Sequence, residues 1–388
     1  MTGTMVSISH HHPSEPPGSG PPGGRGLLLA LAGLVIGLGM GVVFTGIPTD
    51  TTTATTTGAV ASPAQPPTTV ATTVTTVEPV PRRLATLVPG LLDTLVASVV
   101  DQSGMSVVTV WRPADRSPGS GPLPAGVLMA DAGRRWLAAM TKNRYTDGST
   151  LWVGNAAYME PVTQSVTSMT WHARLPSQLA WVEDTEAGAT LRRARFLTGR
   201  FAAQPVDVAP VDDASSVVWW NDVGITLLNT TTQQLTLYSE QGEALETVGA
   251  SEVVAAGANY LAIVDGTGEP MLLDRRLRPV RPAPWLTDCH RGTFNPAAAA
   301  NLLLVCGDTP EAERVAYWYD AATDERASVG FLQPGIVEFG FTSDGIGYTV
   351  TQEQVRPVST IRFFDQAGQH ETVLQYPGRI SSLASMRS

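Results

Sequence analysis

Short apolar segments alternate with polar turns along most of the chain, and the same order recurs at several places. Residues 314–319 (RVAYWY) are rich in aromatic and β-branched side chains, as strands are, and a polar turn leads from them to a second strand that reaches Val329. Segments of this kind reach six valines, about 42 residues apart on average: Val162, Val206, Val248, Val280, Val329 and Val373. The pattern predicts a repeated all-β unit.

Further apolar segments precede each of these pairs. In one unit they are residues 166–171 (VTSMTW) and 178–183 (QLAWVE), and in another residues 253–258 (VVAAGA) and 260–265 (YLAIVD). Each unit therefore holds four short strands within about 42 residues, which is typical of one blade of a β-propeller.

The two ends of the repeat region complement each other. Residues 94–100 and 105–111 form the middle pair of one more unit, and residues 380–386 (ISSLASM) resemble an innermost strand without followers. We expect this C-terminal strand to complete the first blade, because that closure removes exposed sheet edges. The prediction is an all-β, seven-bladed β-propeller over residues 84–388. Six blades are the alternative, because the unit that reaches Val280 is short.

The turn after residue 319 resembles the D-x-x-T-G-E turn of the YVTN-like and pyrroloquinoline-quinone-like propeller repeats, which are WD40-like in architecture. Asp320, Thr323 and Glu325 match that pattern, whereas Asp324 stands where glycine is usual. The resemblance implies a propeller but no particular activity, because members of these families differ in function. It does not support a quinone or any other cofactor.

Residues 27–47 contain no charged side chain and are long enough to cross a bilayer as a helix. We expect an uncleaved membrane anchor; the alternative, a signal peptide, should have a shorter apolar region with a cleavage site close behind it. Arg25 precedes the span and no basic residue follows before Arg82, so residues 1–26 are predicted to be a cytoplasmic tail. The Thr- and Pro-rich residues 48–83 are predicted to be a stalk that holds the propeller outside the cell membrane.

Three glycines, Gly33, Gly37 and Gly41, recur at every fourth residue of this span. They would form a smooth groove on one helix face, through which two anchors could pack as a homodimer. The alternative is that they are ordinary glycines of a membrane helix.

Charge and composition limit the kinds of partner that the chain is expected to bind. The formal net charge is −10, and no basic cluster is present to contact phosphates, so nucleic acid is not an expected partner. Arginine outnumbers lysine so strongly that a GC-rich bacterial genome is the expected source.

The chain has two cysteines, Cys289 and Cys306, on either side of the loop-like residues 295–301 (NPAAAAN). In an antiparallel hairpin with its turn at residues 296–299 they would lie opposite each other, so we predict a disulfide in an oxidising compartment. The alternative is a pair of buried free thiols.

No sequence motif of a known catalytic, nucleotide-binding or metal-binding class is present. The three histidines of the repeat region, His172, His290 and His370, fall in different blades, so no metal site is predicted. The paired Trp219 and Trp220 should face opposite sides of a strand and pack between blades, although a ligand-stacking platform at a rim is the alternative.

The predicted function is a protein- or glycan-binding module or scaffold in the bacterial cell envelope, with the partner bound at a propeller face. The alternative is a hydrolase or lyase with its site in the central channel. That alternative requires several ionisable residues of the inner strands to converge there, and the candidates are Asp131, Asp212, Glu252, His290, Arg291 and Glu338.

Overall fold

The computed structural model describes residues 93–387 except 101–105, 113–118, 122, 143–147, 197–204, 288, 308–313, 334, 354–355 and 365–370. The predicted tail, anchor and stalk, with Gly33, Gly37 and Gly41, lie outside the described residues, as does His370. Among the residues that are described, no helix is long and apolar enough to cross a membrane.

The described chain is almost entirely β-strand, which confirms the predicted all-β class. One 3-10 turn, Pro284–Leu286, interrupts it. The strands are β1 (Asp93–Val100), β2 (Ser106–Trp111), β3 (Gly119–Gly121), β4 (Val127–Ala130), β5 (Leu137–Lys142), β6 (Ser149–Gly154), β7 (Met159–Trp171), β8 (Gln178–Thr185), β9 (Gly188–Arg195), β10 (Val206–Pro210), β11 (Ser215–Trp220), β12 (Ile225–Asn229), β13 (Gln234–Tyr238), β14 (Ala244–Gly249), β15 (Glu252–Ala256), β16 (Leu261–Val264), β17 (Pro270–Leu273), β18 (Pro279–Pro282), β19 (Cys289–Phe294), β20 (Asn301–Cys306), β21 (Arg314–Asp320), β22 (Glu325–Gln333), β23 (Ile336–Phe341), β24 (Gly347–Gln352), β25 (Val358–Phe364), β26 (Glu371–Pro377) and β27 (Arg379–Arg387).

These strands form antiparallel sheets in which neighbours along the chain are usually neighbours in space. Four sheets hold consecutive strands, in the orders β11-β12-β13-β14, β15-β16-β17-β18, β19-β20-β21-β22 and β23-β24-β25-β26. A fifth has the order β27-β1-β2-β3, so the C-terminal strand pairs with the first described strand. A sixth sheet has seven strands, β4 to β10.

The seven-stranded sheet folds over at its long strand β7. The first part of β7, up to Thr163, pairs with β6, whereas the part from Val166 onwards pairs mainly with β8. Ser165, between the two parts, has a left-handed backbone with φ of 63°. Leu151 from β6 and Trp181 from β8 consequently share one buried cluster, so the two halves of this sheet pack against each other.

Apolar side chains between successive four-stranded units form the core. Buried clusters join β1 to β24, β1 to β5, β6 to β8, β8 to β12, β12 to β16, β16 to β20, and β20 to β23. Trp219 and Trp220 are each 1% exposed and belong to two different clusters. Adjacent strand residues face opposite sides of a sheet, so each ring fills a different interface.

A β-bulge recurs in the strand that begins most units. The pairing with the next strand skips one residue in each of six such strands: Thr167 in β7, Val218 in β11, Val254 in β15, His290 in β19, Val337 in β23 and Ser381 in β27. A bulge changes which side chains face each side of a strand, so it decides which of them reach the centre of the ring.

Cys289 and Cys306 form a disulfide, with Cα atoms 3.9 Å apart, between paired positions of β19 and β20. The connecting loop covers residues 295–300, where the hairpin geometry predicts it. Both sulfurs lie in a buried cluster with Leu304 and Tyr319.

Candidate functional site

A cavity of about 530 Å³ lies at the centre of the ring. Its lining comes from β4, the second part of β7, β11, β15, β19, β23 and β27, which we call the inner strands. Its lining also includes the exposed loop residues Ala132, Arg174 and Pro296, so the cavity opens at the face where the loops after the inner strands lie. We call this side the loop face.

One polar residue directly follows most inner strands and holds the loop behind it. Asn221 Oδ1 accepts a hydrogen bond from the backbone N–H of Val223 (2.7 Å), and Asn295 Oδ1 accepts one from that of Ala297 (2.8 Å). Thr342 does the same with its hydroxyl oxygen. These residues cap turns, as Asx and Ser/Thr side chains commonly do.

Asp131 occupies the same position after β4. Its Oδ1 accepts hydrogen bonds from the backbone N–H groups of Arg135 (2.8 Å) and Trp136 (2.9 Å), and its Oδ2 accepts one from that of Ser177 (3.0 Å). It lines the cavity and is 1% exposed. Its oxygens are therefore used to hold two loops, and Asp131 is a structural residue.

Two more of the six channel candidates, Arg291 and Glu338, also line the cavity. The Arg291 guanidinium donates to the carbonyl oxygens of Ile336 (3.1 Å) and Val337 (3.4 Å) and lies 5.3 Å from the Phe339 ring centre. It thereby holds β19 against β23. A buried cation of this kind is well stabilised by carbonyl dipoles and an aromatic face.

Glu338 is the strongly perturbed acid of the cavity. Burial raises the pKa of its carboxyl to about 7, although the Phe339 N–H, the Arg291 charge and bonds from Ser382 and Leu383 act in the opposite direction. The hydroxyl of Tyr348 donates to the Leu383 carbonyl (2.9 Å), and burial, together with the nearby Glu338 charge, raises the pKa of this tyrosine. The carboxyl of Glu338 therefore keeps its proton to a higher pH than an exposed glutamate does.

Arg134 reaches the same part of the cavity from the loop after β4. Its Nη1 donates to the Ser385 carbonyl on β27 at 3.4 Å, and its backbone is left-handed, with φ of 55°. Burial lowers the pKa of its guanidinium, and Tyr348, Asp93 and Asp131 oppose that effect. Arg134 and Tyr348 are site residues that the sequence does not single out.

A polar network lies at the rim of the loop face. Asp222 accepts hydrogen bonds from Arg174 (3.0 Å) and Arg275 (2.8 Å), and Arg174 also bonds Asn259. His172 Nδ1 accepts backbone hydrogen bonds from Arg174 (3.1 Å) and Leu175 (3.0 Å), so its proton is on Nε2, which faces Asp222. Burial lowers the pKa of His172, so the ring is neutral at pH 7. This histidine caps a loop.

The structure does not bring the other three candidates into the cavity lining. Asp212 is exposed and caps the turn before β11 through the Ala214 N–H (3.1 Å). His290 is the bulged residue of β19; it is exposed, and its Nε2 lies 3.0 Å from the Gly307 carbonyl. Burial raises the pKa of Glu252, at the start of β15, and the nearby His290 charge opposes that shift. The six candidates therefore do not form one group.

The β-propeller domain of the Trilobed protease from Pyrococcus furiosus has a similar structure, with 12% sequence identity and a TM-score of 0.52. The match covers 72% of this chain and 93% of that one. This chain is a β-propeller. Its closure by β27 contrasts with the open velcro topology named for the Pyrococcus domain.

More distant likenesses to the propeller include TolB from Acinetobacter baumannii, with 11% identity, a TM-score of 0.47 and coverage of 76% of this chain and 66% of that one. A putative 6-phosphogluconolactonase from Bacteroides fragilis has 8% identity and a TM-score of 0.47, over 76% of this chain and 98% of that one. No protein-family profile matches the chain. No curated protein sequence matches it either.

Within the described part of the propeller, no three His, Cys, Asp or Glu side chains are grouped so that they could hold a metal ion. Trp219 donates its indole N–H to the Gly257 carbonyl (2.6 Å), and Trp220 packs against the His172 ring at 5.3 Å. Both tryptophans are core residues, so neither forms a stacking platform for a ligand. The candidate binding surfaces are therefore the cavity and the loop face.

Proposed function

We propose that the chain is an extracytoplasmic binding module of a bacterial cell envelope. Residues 27–47 anchor it in the membrane, residues 1–26 are cytoplasmic, and residues 48–83 form the stalk. The uncharged span with Arg25 before it supports this arrangement, and the disulfide fits an oxidising compartment. Packing of two anchors through Gly33, Gly37 and Gly41 would make the module a homodimer.

The observation that carries the binding role is the dispersal of the ionisable candidates. Asp131 holds backbone amides, Asp212 and His290 are exposed, and Glu252 lies outside the cavity lining, so only Arg291 and Glu338 remain close to each other there. A catalytic group needs its acid, base and nucleophile in mutual hydrogen-bonding reach. The cavity instead opens at a broad face made of loops. Loops held on a rigid scaffold commonly carry binding residues.

We infer that the ring has seven blades. In this interpretation the seven-stranded sheet is two blades that share β7, because its two halves pack face to face across Leu151 and Trp181. The seven inner strands and the buried clusters between successive units support the same number.

The partner is a protein or a glycan that binds at the loop face. Leu175 lies in the loop after β7 and is 46% exposed, beside the polar network of Arg174 and Asp222. An exposed apolar side chain next to hydrogen-bonding groups is a common composition of interface surfaces.

The test is affinity capture from native membranes, together with a glycan array, using the full chain and its Leu175→Asp variant. Leu245→Asp is the matched control, because Leu245 is also 46% exposed but lies on the outer strand β14. We expect a partner that is retained by the wild type and by Leu245→Asp and is lost from Leu175→Asp. Equal retention by all three forms, or retention by a chain lacking residues 84–388, would contradict the loop-face proposal.

The raised pKa of Glu338 favours one alternative, a hydrolase or lyase that uses this residue as an acid or base in the channel. Turnover of ester, glycoside or uronate substrates by the wild type and its loss in Glu338→Gln would support it. Absence of turnover in the wild type would remove it.

A further inference from the structure

Arg134 differs from the other arginines of the cavity in how its charge is compensated. Arg174 pairs with Asp222, and Arg291 donates to two carbonyl oxygens. In the described part of the chain, the Arg134 side chain forms no ion pair, and its one hydrogen bond, to the Ser385 carbonyl, is long at 3.4 Å. A guanidinium has five N–H donors, so most of the donor capacity of Arg134 is left for other acceptors.

The carboxylates near Arg134 already accept hydrogen bonds from other groups. The Asp131 oxygens accept three backbone N–H groups. Asp93 is fully buried and accepts hydrogen bonds from Ser343 N–H (2.6 Å), the Ser343 hydroxyl (2.5 Å) and the Ser385 hydroxyl. Both acids act on the charge of Arg134, but their oxygens accept hydrogen bonds from other donors, so the guanidinium keeps N–H donors for a ligand.

The cavity lining carries charges of both signs: Arg134, Arg174 and Arg291, with Asp131 and Glu338. Arg174 is paired with Asp222, and Arg291 is held by carbonyl oxygens of β23, so Arg134 is the cation with the most donor capacity left. Low-dielectric walls strengthen the attraction between such a cation and an anion that enters the cavity.

Apolar side chains complete the wall. Val127 and Met129 on β4 belong to the lining and are half-buried, and Phe339 on β23 belongs to it as well. A volume of about 530 Å³ is within the range of small-molecule sites, roughly 300–1,000 Å³. A ligand with one charged end and an apolar body would match both parts of this surface.

We propose that the channel binds a small organic anion, with a carboxylate or phosphate group held by Arg134 and an apolar body against β4. This inference goes beyond the proposed loop-face function, because it assigns a second site, inside the channel, to a small ligand. Planar, two-pronged pairing with a carboxylate or phosphate is the interaction for which a guanidinium is best suited.

The test uses the full chain in detergent and measures binding by titration calorimetry and thermal shift at constant ionic strength. The probes are benzoate and phenyl phosphate, with benzyl alcohol and sodium chloride as the neutral and inorganic controls. The variants are Arg134→Gln, Arg134→Lys and the matched control Arg276→Gln, which changes an exposed arginine outside the cavity lining.

We expect saturable binding of at least one organic anion to the wild type. Arg134→Gln should weaken it by at least about tenfold, whereas Arg134→Lys should weaken it less and Arg276→Gln should leave it unchanged. The inference would be overturned by equal binding of benzyl alcohol, by equal affinity of Arg134→Gln, or by no saturable binding of either anion. Benzoate in preference to phenyl phosphate would identify the anionic group as a carboxylate, and the reverse order as a phosphate.

Failure of this inference is separable from failure of the binding function. If a partner is captured through Leu175 and Arg134→Gln captures it equally well while no anion binds, the loop-face function stands and the anion site is refuted. If anions bind through Arg134 but no partner depends on Leu175, the channel is the binding site and the loop face is not.

Discussion

Glu338 shows how a single side chain can couple this propeller to pH. It lies among β19, β24 and β27, which present Arg291, Tyr348 and Ser382 to it. Its pKa is about 7 in the folded chain and 4.5 in the unfolded one. The folded state therefore binds the proton more tightly, and the contribution of Glu338 to stability is present below pH 4.5 and lost as the pH rises through 7.

Glu338→Gln should remove this loss, because the amide keeps the shape of the side chain without a charge. We expect the variant to be more stable than the wild type by about 2–3 kcal/mol at pH 8, and by less than about 1 kcal/mol at pH 5. Urea unfolding at the two pH values measures the difference. Glu246→Gln, on the exposed face of β14, is the control. An equal difference between Glu338→Gln and the wild type at both pH values would contradict the assignment.

The bulges explain why sequence reasoning predicts only part of the site. Strict alternation from the start of β19 cannot distinguish His290 from Arg291 as the channel residue. The bulge at His290 puts that side chain outside the cavity lining and Arg291 within it. A bulge is a pairing feature and leaves no clear signal in one strand. Arg134 is missed for another reason, since it reaches the cavity from a loop and not from an inner strand.

The repeat turn has a clearer sequence origin. Asp324 stands where related turns have glycine, and its backbone is left-handed, with φ of 65°. Its carboxylate accepts a hydrogen bond from the Tyr319 hydroxyl and lies 3.6 Å from Arg281. These contacts offset the cost of a left-handed conformation in a residue with a side chain, which explains how the turn forms without glycine.

At the scale of elements, the terminal valines and the polar turns are enough to locate the outer strands. Val162, Val206, Val248, Val280, Val329 and Val373 all lie in strands that end a four-stranded unit or, for Val162, in the first part of β7. The sequence predicts the two parts of β7 as separate strands, one reaching Val162 and one over residues 166–171, and gives no sign that they are continuous through Ser165.

Strand β27 is the element on which closure depends. It pairs with β1 from Asp93↔Arg387 to Val100↔Arg379 and leaves no unpaired edge between them. A chain without residues 379–388 should expose the β1 edge and fail to fold as a soluble monomer. A permuted chain that joins Arg387 to Asp93 through an Asn-Gly turn and begins at Arg379 should fold with near wild-type stability, because the pairing is preserved.

Circular dichroism and size-exclusion chromatography distinguish these outcomes. A monomeric, folded truncation would show that β27 is dispensable. An unfolded permutant would show that closure needs more than the β27–β1 pairing.

At the scale of the whole molecule, one face of the ring is formed by the loops that follow the inner strands. Residues on this face can change without disturbing the core. The cavity opens there, and Arg174, Asp222 and Arg275 lie there. The interfaces between units are filled by residues such as Trp181 and Trp219. Changes in the loops therefore leave the packing of the sheets intact, as expected of a scaffold that carries a binding site.

The compartment of this ring can be tested with its two cysteines, because the sequence has no others. If the propeller is outside the membrane, Cys289 and Cys306 should be oxidised in living cells. If it were in the cytoplasm, they should be reduced. Acid-trapped, denatured protein treated with a polyethylene glycol maleimide should migrate unshifted without reductant and shift by two labels after reduction. A chain lacking residues 27–47 should stay in the cytoplasm and shift by two labels at once. The same immediate shift in the full chain would place the propeller in a reducing compartment and refute the proposed orientation.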